Sequence, residues 1–137
     1  MFNGGAASTP EDDLEGPPER HVWAERRLAQ LLADAEAASV EADGHEARGD
    51  VVRMRQSARA AAYRYDRIGY WLYRTQHERA GRAWACAGRE YRRGLSHARA
   101  GGAEMHAIWM RDVASGKTRI MKSDYDEVTA PAVSGAT

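Results

Sequence analysis

From Ala24 to Ala98, small and apolar residues return at alternating intervals of three and four, the spacing that lines up one side of an α-helix. Three such seams follow one another. The first is Ala24, Leu28, Leu31, Ala35, Ala38 and Ala42, with Leu32 widening the stripe. The second is Val51, Met54, Ala58, Ala61, Tyr65, Ile68 and Leu72, and the third is Ala80, Trp84, Ala87, Tyr91, Gly94 and Ala98. The pattern is that of helices packed side by side, with alanines that permit close approach.

Punctuation residues divide the seams. Pro17 or Pro18 suits the first turn of a helix, and Gly44 suits the left-handed position after its end, so a helix is expected from there to Asp43. Asp50 is a good N-cap for a second helix. The short link between them predicts an antiparallel hairpin. Its electrostatics agree, because Glu41 and Asp43 at one helix end would face Arg53 and Arg55 at the start of the next. The second and third seams are offset near Arg79-Ala80-Gly81, which leaves open one long helix or two. Gly101-Gly102 is expected to end the run, with Arg92, Arg93, His97 and Arg99 near its C-terminus. As one helix, residues 51–99 would extend about 74 Å, twice the length of the first, and half of its seam would lack a cover. Either the chain folds back or a second subunit covers it.

Beyond residue 106 the period changes. Ile108, Met110 and Asp112 alternate with Trp109, Arg111 and Val113, and Ser115-Gly116 separates them from Thr118 to Lys122. A turn there would set Asp112 opposite Arg119 and Met110 opposite Met121, which predicts a β-hairpin. The expected organisation is therefore mainly α: an acidic flexible arm over 1–18, a helical hairpin with a long second helix or a third helix over 19–101, a β-hairpin over 106–122 and a flexible tail over 123–137. The two end segments carry too few apolar residues to offset chain entropy on their own.

Charge is distributed unevenly. Residues 1–47 hold 3 Arg and 11 acids, residues 48–99 hold 13 Arg and 4 acids, and residues 100–137 hold 4 basic and 5 acidic groups. The formal net charge of zero thus conceals an acidic N-terminal part and a basic middle. The cations are 18 Arg against 2 Lys, beside 26 Ala, a joint excess that codon bias produces. Such asymmetry implies contact with another segment, another chain or nucleic acid.

Candidate sites follow from residue type. Tyr63, Arg67, Tyr70, Arg74 and His77 share one helical face, within a run in which aromatics, Trp71 included, interleave with guanidinium groups, a mixture used in protein interfaces. Trp84, Tyr91 and Leu95 on the third seam, and Ile108, Trp109, Met110 and Ile120 on the expected hairpin, complete a set of candidate partner-binding residues. The alternative is a nucleic-acid surface of Arg64, Arg67, Arg74, Arg89, Arg92 and Arg93. No catalytic constellation, phosphate-binding glycine loop or cofactor motif is present, and His77, Cys86, His97 and His106 have no zinc-site spacing. No apolar run approaches the roughly 18–20 residues of a membrane span. The start of the sequence does not read as a secretory signal, which places the expected location in the cytoplasm or a virion. A single cysteine allows no internal disulfide. The expectation is a non-catalytic assembly subunit that binds other protein chains, its own copies included. A nucleic-acid-binding accessory protein and a small regulator of a protein partner are the alternatives.

Overall fold

The computed structural model describes residues 21–120, and these form four helices with no strand among them. They are α1 (His21–Ala47), α2 (Val51–Leu72), α3 (His77–Arg93) and α4 (His97–Ala114). Each packs on the next in chain order. The expected arm, the tail, Pro17, Pro18 and Met121 lie outside the described residues.

The three seams supply most of the core, although Val51 and Ala98 are exposed and Ala98 falls in α4. Leu28 and Ala35 of α1, Ala61, Tyr65, Ile68 and Leu72 of α2, and Ala80, Trp84, Ala87 and Tyr91 of α3 are all buried in one cluster. The middle of the chain folds back twice, and this supplies much of the missing cover. Long side chains fix the relative directions. Arg79 at the start of α3 reaches Glu25 at the start of α1 (3.0 Å), and Arg93 at the end of α3 reaches Asp43 and Glu46 at the end of α1 (2.5 and 3.1 Å). So α1 and α3 run parallel, with α2 antiparallel to both. Tyr70 and Tyr73 of α2 meet His106 and Trp109 of α4 in the same order, so α2 and α4 also run parallel. The result is two stacked helical hairpins.

The helix ends differ from the sequence expectation, each for a local reason. The first helix continues through Gly44 to Ala47, and the left-handed residue is Gly49 (φ 76°). There the amides of Gly49 and Asp50 donate back to the carbonyls of Glu46 and His45, which satisfies the last turn. Asp50 then caps α2 by accepting from the Arg53 amide (3.2 Å) and also pairs with the Arg53 side chain. The expected ion pairing across the hairpin is therefore redistributed. Arg53 turns to Asp50, Asp43 to Arg93, and Glu41 accepts from the hydroxyl of Ser57.

The long-helix alternative is excluded by two breaks, neither at Gly81. The first falls at Tyr73–Gln76 and the second at Gly94–Ser96. Gly81 stays inside α3, where α4 comes so close that an added Cβ would lie 3.2 Å from that of Met110. At the second break the left-handed position falls on Leu95 (φ 62°), although a glycine stands next to it. Gly94 is needed elsewhere: a Cβ there would lie 2.5 Å from Cγ of Arg59 and 3.1 Å from the Arg55 carbonyl. Close approach of α2 claims the glycine, and the strained φ passes to a leucine.

The β-hairpin and the stop at Gly101-Gly102 are both corrected. Residues 97–114 are helical straight through the two glycines. Ala100, Ala103 and Met110 are buried against α3, while Met105 and Ile108 point outward. A helix with apolar residues on more than one side mimics strand alternation over a short stretch. Gly116 (φ 82°) ends α4 in the same manner as Gly49 ends α1, so Ser115-Gly116 is a helix stop instead of a hairpin turn. His97 and Arg99 consequently lie at the start of α4, not at a helix C-terminus.

Left-handed leucine costs more than left-handed glycine. Leu95 is half exposed, so little packing is lost on its removal. Leu95→Gly is expected to raise unfolding stability by about 0.5–1 kcal/mol, the entropy of a freer unfolded chain taking back part of the gain. A urea unfolding curve measures it, and a lower midpoint than wild type contradicts the account.

Candidate protein-interaction surface

Polar groups in the interior are organised around Asp66, the sole acid between residues 51 and 77. Its two carboxylate oxygens accept from the indole N–H of Trp84 (2.8 Å) and the hydroxyl of Tyr91 (2.9 Å). Trp84 and Tyr91 are seven residues apart, two turns of α3, and so address one carboxylate from the same face. The Trp84 ring lies over Gly69, where a Cβ would come within 2.5 Å of it. Tyr70, Tyr73, His106 and Trp109 surround the indole, with ring centroids 4.6–6.4 Å away. Burial is the largest influence on the Tyr91 phenol and, with the Asp66 hydrogen bond and charge, pushes its pKa up to about 12. Burial pushes the His106 imidazole below its usual 6.5, with Asp66 acting in the opposite direction.

A second polar line joins α1 to α3. Arg93 bridges Asp43, Glu46 and the buried Glu90, and Glu90 also accepts from the hydroxyl of Ser39 (2.9 Å). Arg79 makes a two-pronged pair with Glu25 (3.0 and 3.1 Å). Arg92 does the same with Glu104 of α4, 2.6 Å on both prongs, which holds Glu104 below the usual carboxylate range. Part of the acidic N-terminal region thus meets part of the basic middle within one chain.

The candidate residues fall into separate places. Trp84, Tyr91 and Met110 are buried, used for the core and not for a partner. Trp109 and Ile120 are half-buried against that core. On α2, Arg67 lies over the rings of Tyr63 (5.6 Å) and Trp71 (5.1 Å) and donates to the Tyr63 hydroxyl. The Arg–aromatic face is thereby engaged with itself. Tyr70 sits edge-on to Trp84, and Arg74 is exposed beside it in sequence near the end of α2. Of the nucleic-acid set, Arg92 and Arg93 are paired with acids, Arg89 donates to the Cys86 sulfur (3.4 Å), and Arg64 is exposed. These six do not form one uncompensated cationic surface.

Large apolar side chains are exposed on α1 (Val22, Trp23 and Val40), on α2 (Val51, Val52, Tyr63 and Tyr70), at Leu95 and on α4, where they border a groove. Met105 is 66% exposed and Ile108 43% exposed, one helical turn apart, and no atom lies within 4 Å of a Cβ built at Gly101 one turn before them. Ile108 borders a groove of about 480 Å³ between α3 and α4. Gly81, Ala85, Ala107 and Ala114 line it, so its walls are smooth. Arg82 and Arg111 also line it, and His77 and Glu78 lie towards the start of α3.

No family model, curated protein or solved structure matches this chain. The described residues hold no group of His, Cys, Asp and Glu arranged for a metal, and no described helix is long and apolar enough to cross a membrane.

Sequence reasoning missed Asp66 and Arg111, and it set Arg82 only among the arginines that make the third seam's helix basic. A lone acid on an arginine-rich helix was the available signal for the first. Nothing local distinguished Arg82 and Arg111 from the other arginines, because pairing is decided by which helix lies opposite.

Two outcomes follow from these polar groups. Arg93→Met leaves Glu90 buried without its cation and is expected to cost about 2–3 kcal/mol, less than for a pair fully out of water. Adding Glu90→Gln should restore part of this, and additive losses would show that the two do not act together. On the pH axis, the neutral imidazole of His106 is favoured by folding. Its contribution is complete above pH 6.5 and declines as pH falls through the lower folded value. His106→Phe should flatten stability on that acid side in urea titrations; an unchanged slope excludes His106 as its source.

Proposed function

We propose that this chain is a non-catalytic assembly subunit, covered on its outer α3–α4 face by another protein chain. The observation that carries this reading is the outward row of Gly101, Met105 and Ile108 beside the α3–α4 groove. In a stack of helical hairpins, inner helices are covered on both sides, and terminal helices need a polar outer face to remain alone in water. Here α4 ends the described stack with Met105 and Ile108 outward. Single exposed apolar residues are ordinary on a soluble protein, but an apolar row continuous with a small-residue groove is a surface for association.

The partner-binding residues are reassigned accordingly. Ile108 remains from the expected set, Met105 joins it, and Trp84, Tyr91 and Met110 support the surface from within. The nucleic-acid reading loses its strongest members, since Arg92 and Arg93 are occupied by carboxylates.

Light scattering after size-exclusion chromatography tests the reading on the full chain. A discrete assembly that persists at high salt is expected, because an apolar row holds it. Met105→Lys with Ile108→Glu should yield monomers without lowering the melting temperature by more than a few degrees, since neither side chain is buried. A wild-type monomer at all concentrations, with no partner recovered through this face, would overturn the reading.

A further inference from the structure

We infer that the α3–α4 groove receives an acidic segment of the partner chain, an inference that rests on the assembly reading and names the chemistry of the occupant. Three other arginines of α3 have acidic partners, Arg79 with Glu25, Arg92 with Glu104, and Arg93 with Asp43, Glu46 and Glu90, while Arg89 donates to the Cys86 sulfur. Arg82 of α3 and Arg111 of α4 line the groove and are exposed, and neither side chain is in an ion pair among the described residues. His77 stands at the start of α3 with its Nε2 3.1 Å from the Arg74 carbonyl, and among the described residues Glu78 is the one carboxylate lining the groove. The groove therefore presents two arginines against one acid.

Its walls decide between acidic ligands. Gly81, Ala85, Ala107 and Ala114 leave room for a backbone with short or aliphatic side chains, and Ile108 gives those side chains an apolar contact. Among the described residues no Trp, Tyr or Phe lines the groove, so these offer no ring on which a base could stack. A peptide whose carboxylates reach Arg82 and Arg111 while its apolar side chains meet Ile108 fits both features. Guanidinium groups suit carboxylates because both are planar and can bond through two parallel N–H···O contacts.

The test is fluorescence polarisation on the full chain, using a labelled peptide in which Asp and Glu alternate with Leu and Ala. The control is the same peptide with Asn and Gln in place of the acids. The acidic peptide is expected to bind, the neutral one at least tenfold more weakly. Arg82→Gln with Arg111→Gln should weaken the acidic peptide about tenfold, as two exposed ion pairs allow. Arg64→Gln on α2 with Arg74→Gln just beyond its end should leave it unchanged. Equal binding of both peptides, no binding of either, or a labelled oligonucleotide held more tightly through Arg82 and Arg111 would overturn the inference. So would binding that emerges only after Asp124→Asn, Asp126→Asn and Glu127→Gln, because the chain itself would then be filling the groove. The two readings fail separately. Loss of the inference with a wild-type assembly that Met105→Lys and Ile108→Glu still dissolve leaves the interface in place. A wild-type monomer recruiting no partner removes both.

Discussion

The indole of Trp84 is where three of the four helices meet. It has no exposed surface, it lies on the bare backbone of Gly69, and its only polar group is satisfied by Asp66. These conditions depend on one another. A side chain at position 69 would lift the ring, and the N–H of a lifted ring would leave the carboxylate. Asp66 without that N–H and the Tyr91 hydroxyl would be a partly buried charge with little to offset its desolvation. The aromatic shell of Tyr70, Tyr73, His106 and Trp109 then closes around the ring and carries its position to α4. The outward groove depends on the same centre, since α4 is placed by what it packs against.

Around that centre the chain uses arginine in three ways. Arg79, Arg92 and Arg93 tie helices together through carboxylates, Arg67 covers aromatic rings, and Arg59 donates to the Gly94 carbonyl (2.7 Å) where α2 and α3 approach. The long planar side chain suits all three, because it spans gaps between helices that a shorter group would not cross. Part of the charge asymmetry in the sequence is thus resolved internally, through Arg79 and Arg93. Arg82 and Arg111 stand apart from this pattern.

The helical seams were legible from spacing alone, because buried faces of α1 to α3 recur with the helical period and neighbouring alanines do not obscure it. The breaks were not. Glycine is the usual marker of a helix end, yet Gly44, Gly101 and Gly102 lie inside helices, and Gly94 serves close approach while Leu95 takes the left-handed turn. Each decision was made by a neighbouring helix distant in sequence. The misread hairpin has the same origin, for α4 is apolar inward to α3 and outward at Met105 and Ile108, and two faces blurred the period. Among candidate residues, type was informative and location was not. Tryptophan and tyrosine at 84 and 91 suited an interface as well as a core until Asp66 was seen opposite them.

One consequence concerns the far end of the stack. The buried contacts of α1 are Ala24, Leu28, Ala35 and Ala42, three of them with side chains of a single carbon. Little apolar area per residue is removed from water there, compared with the aromatic centre shared by α2, α3 and α4. In a linear stack each unit is stabilised by its neighbours, so the outermost unit with the thinnest contact opens first. The backbone amides of α1 should accordingly exchange with solvent deuterium through a local opening that leaves the other three helices closed. The guanidinium groups of Arg79 and Arg93 act as clasps on that opening.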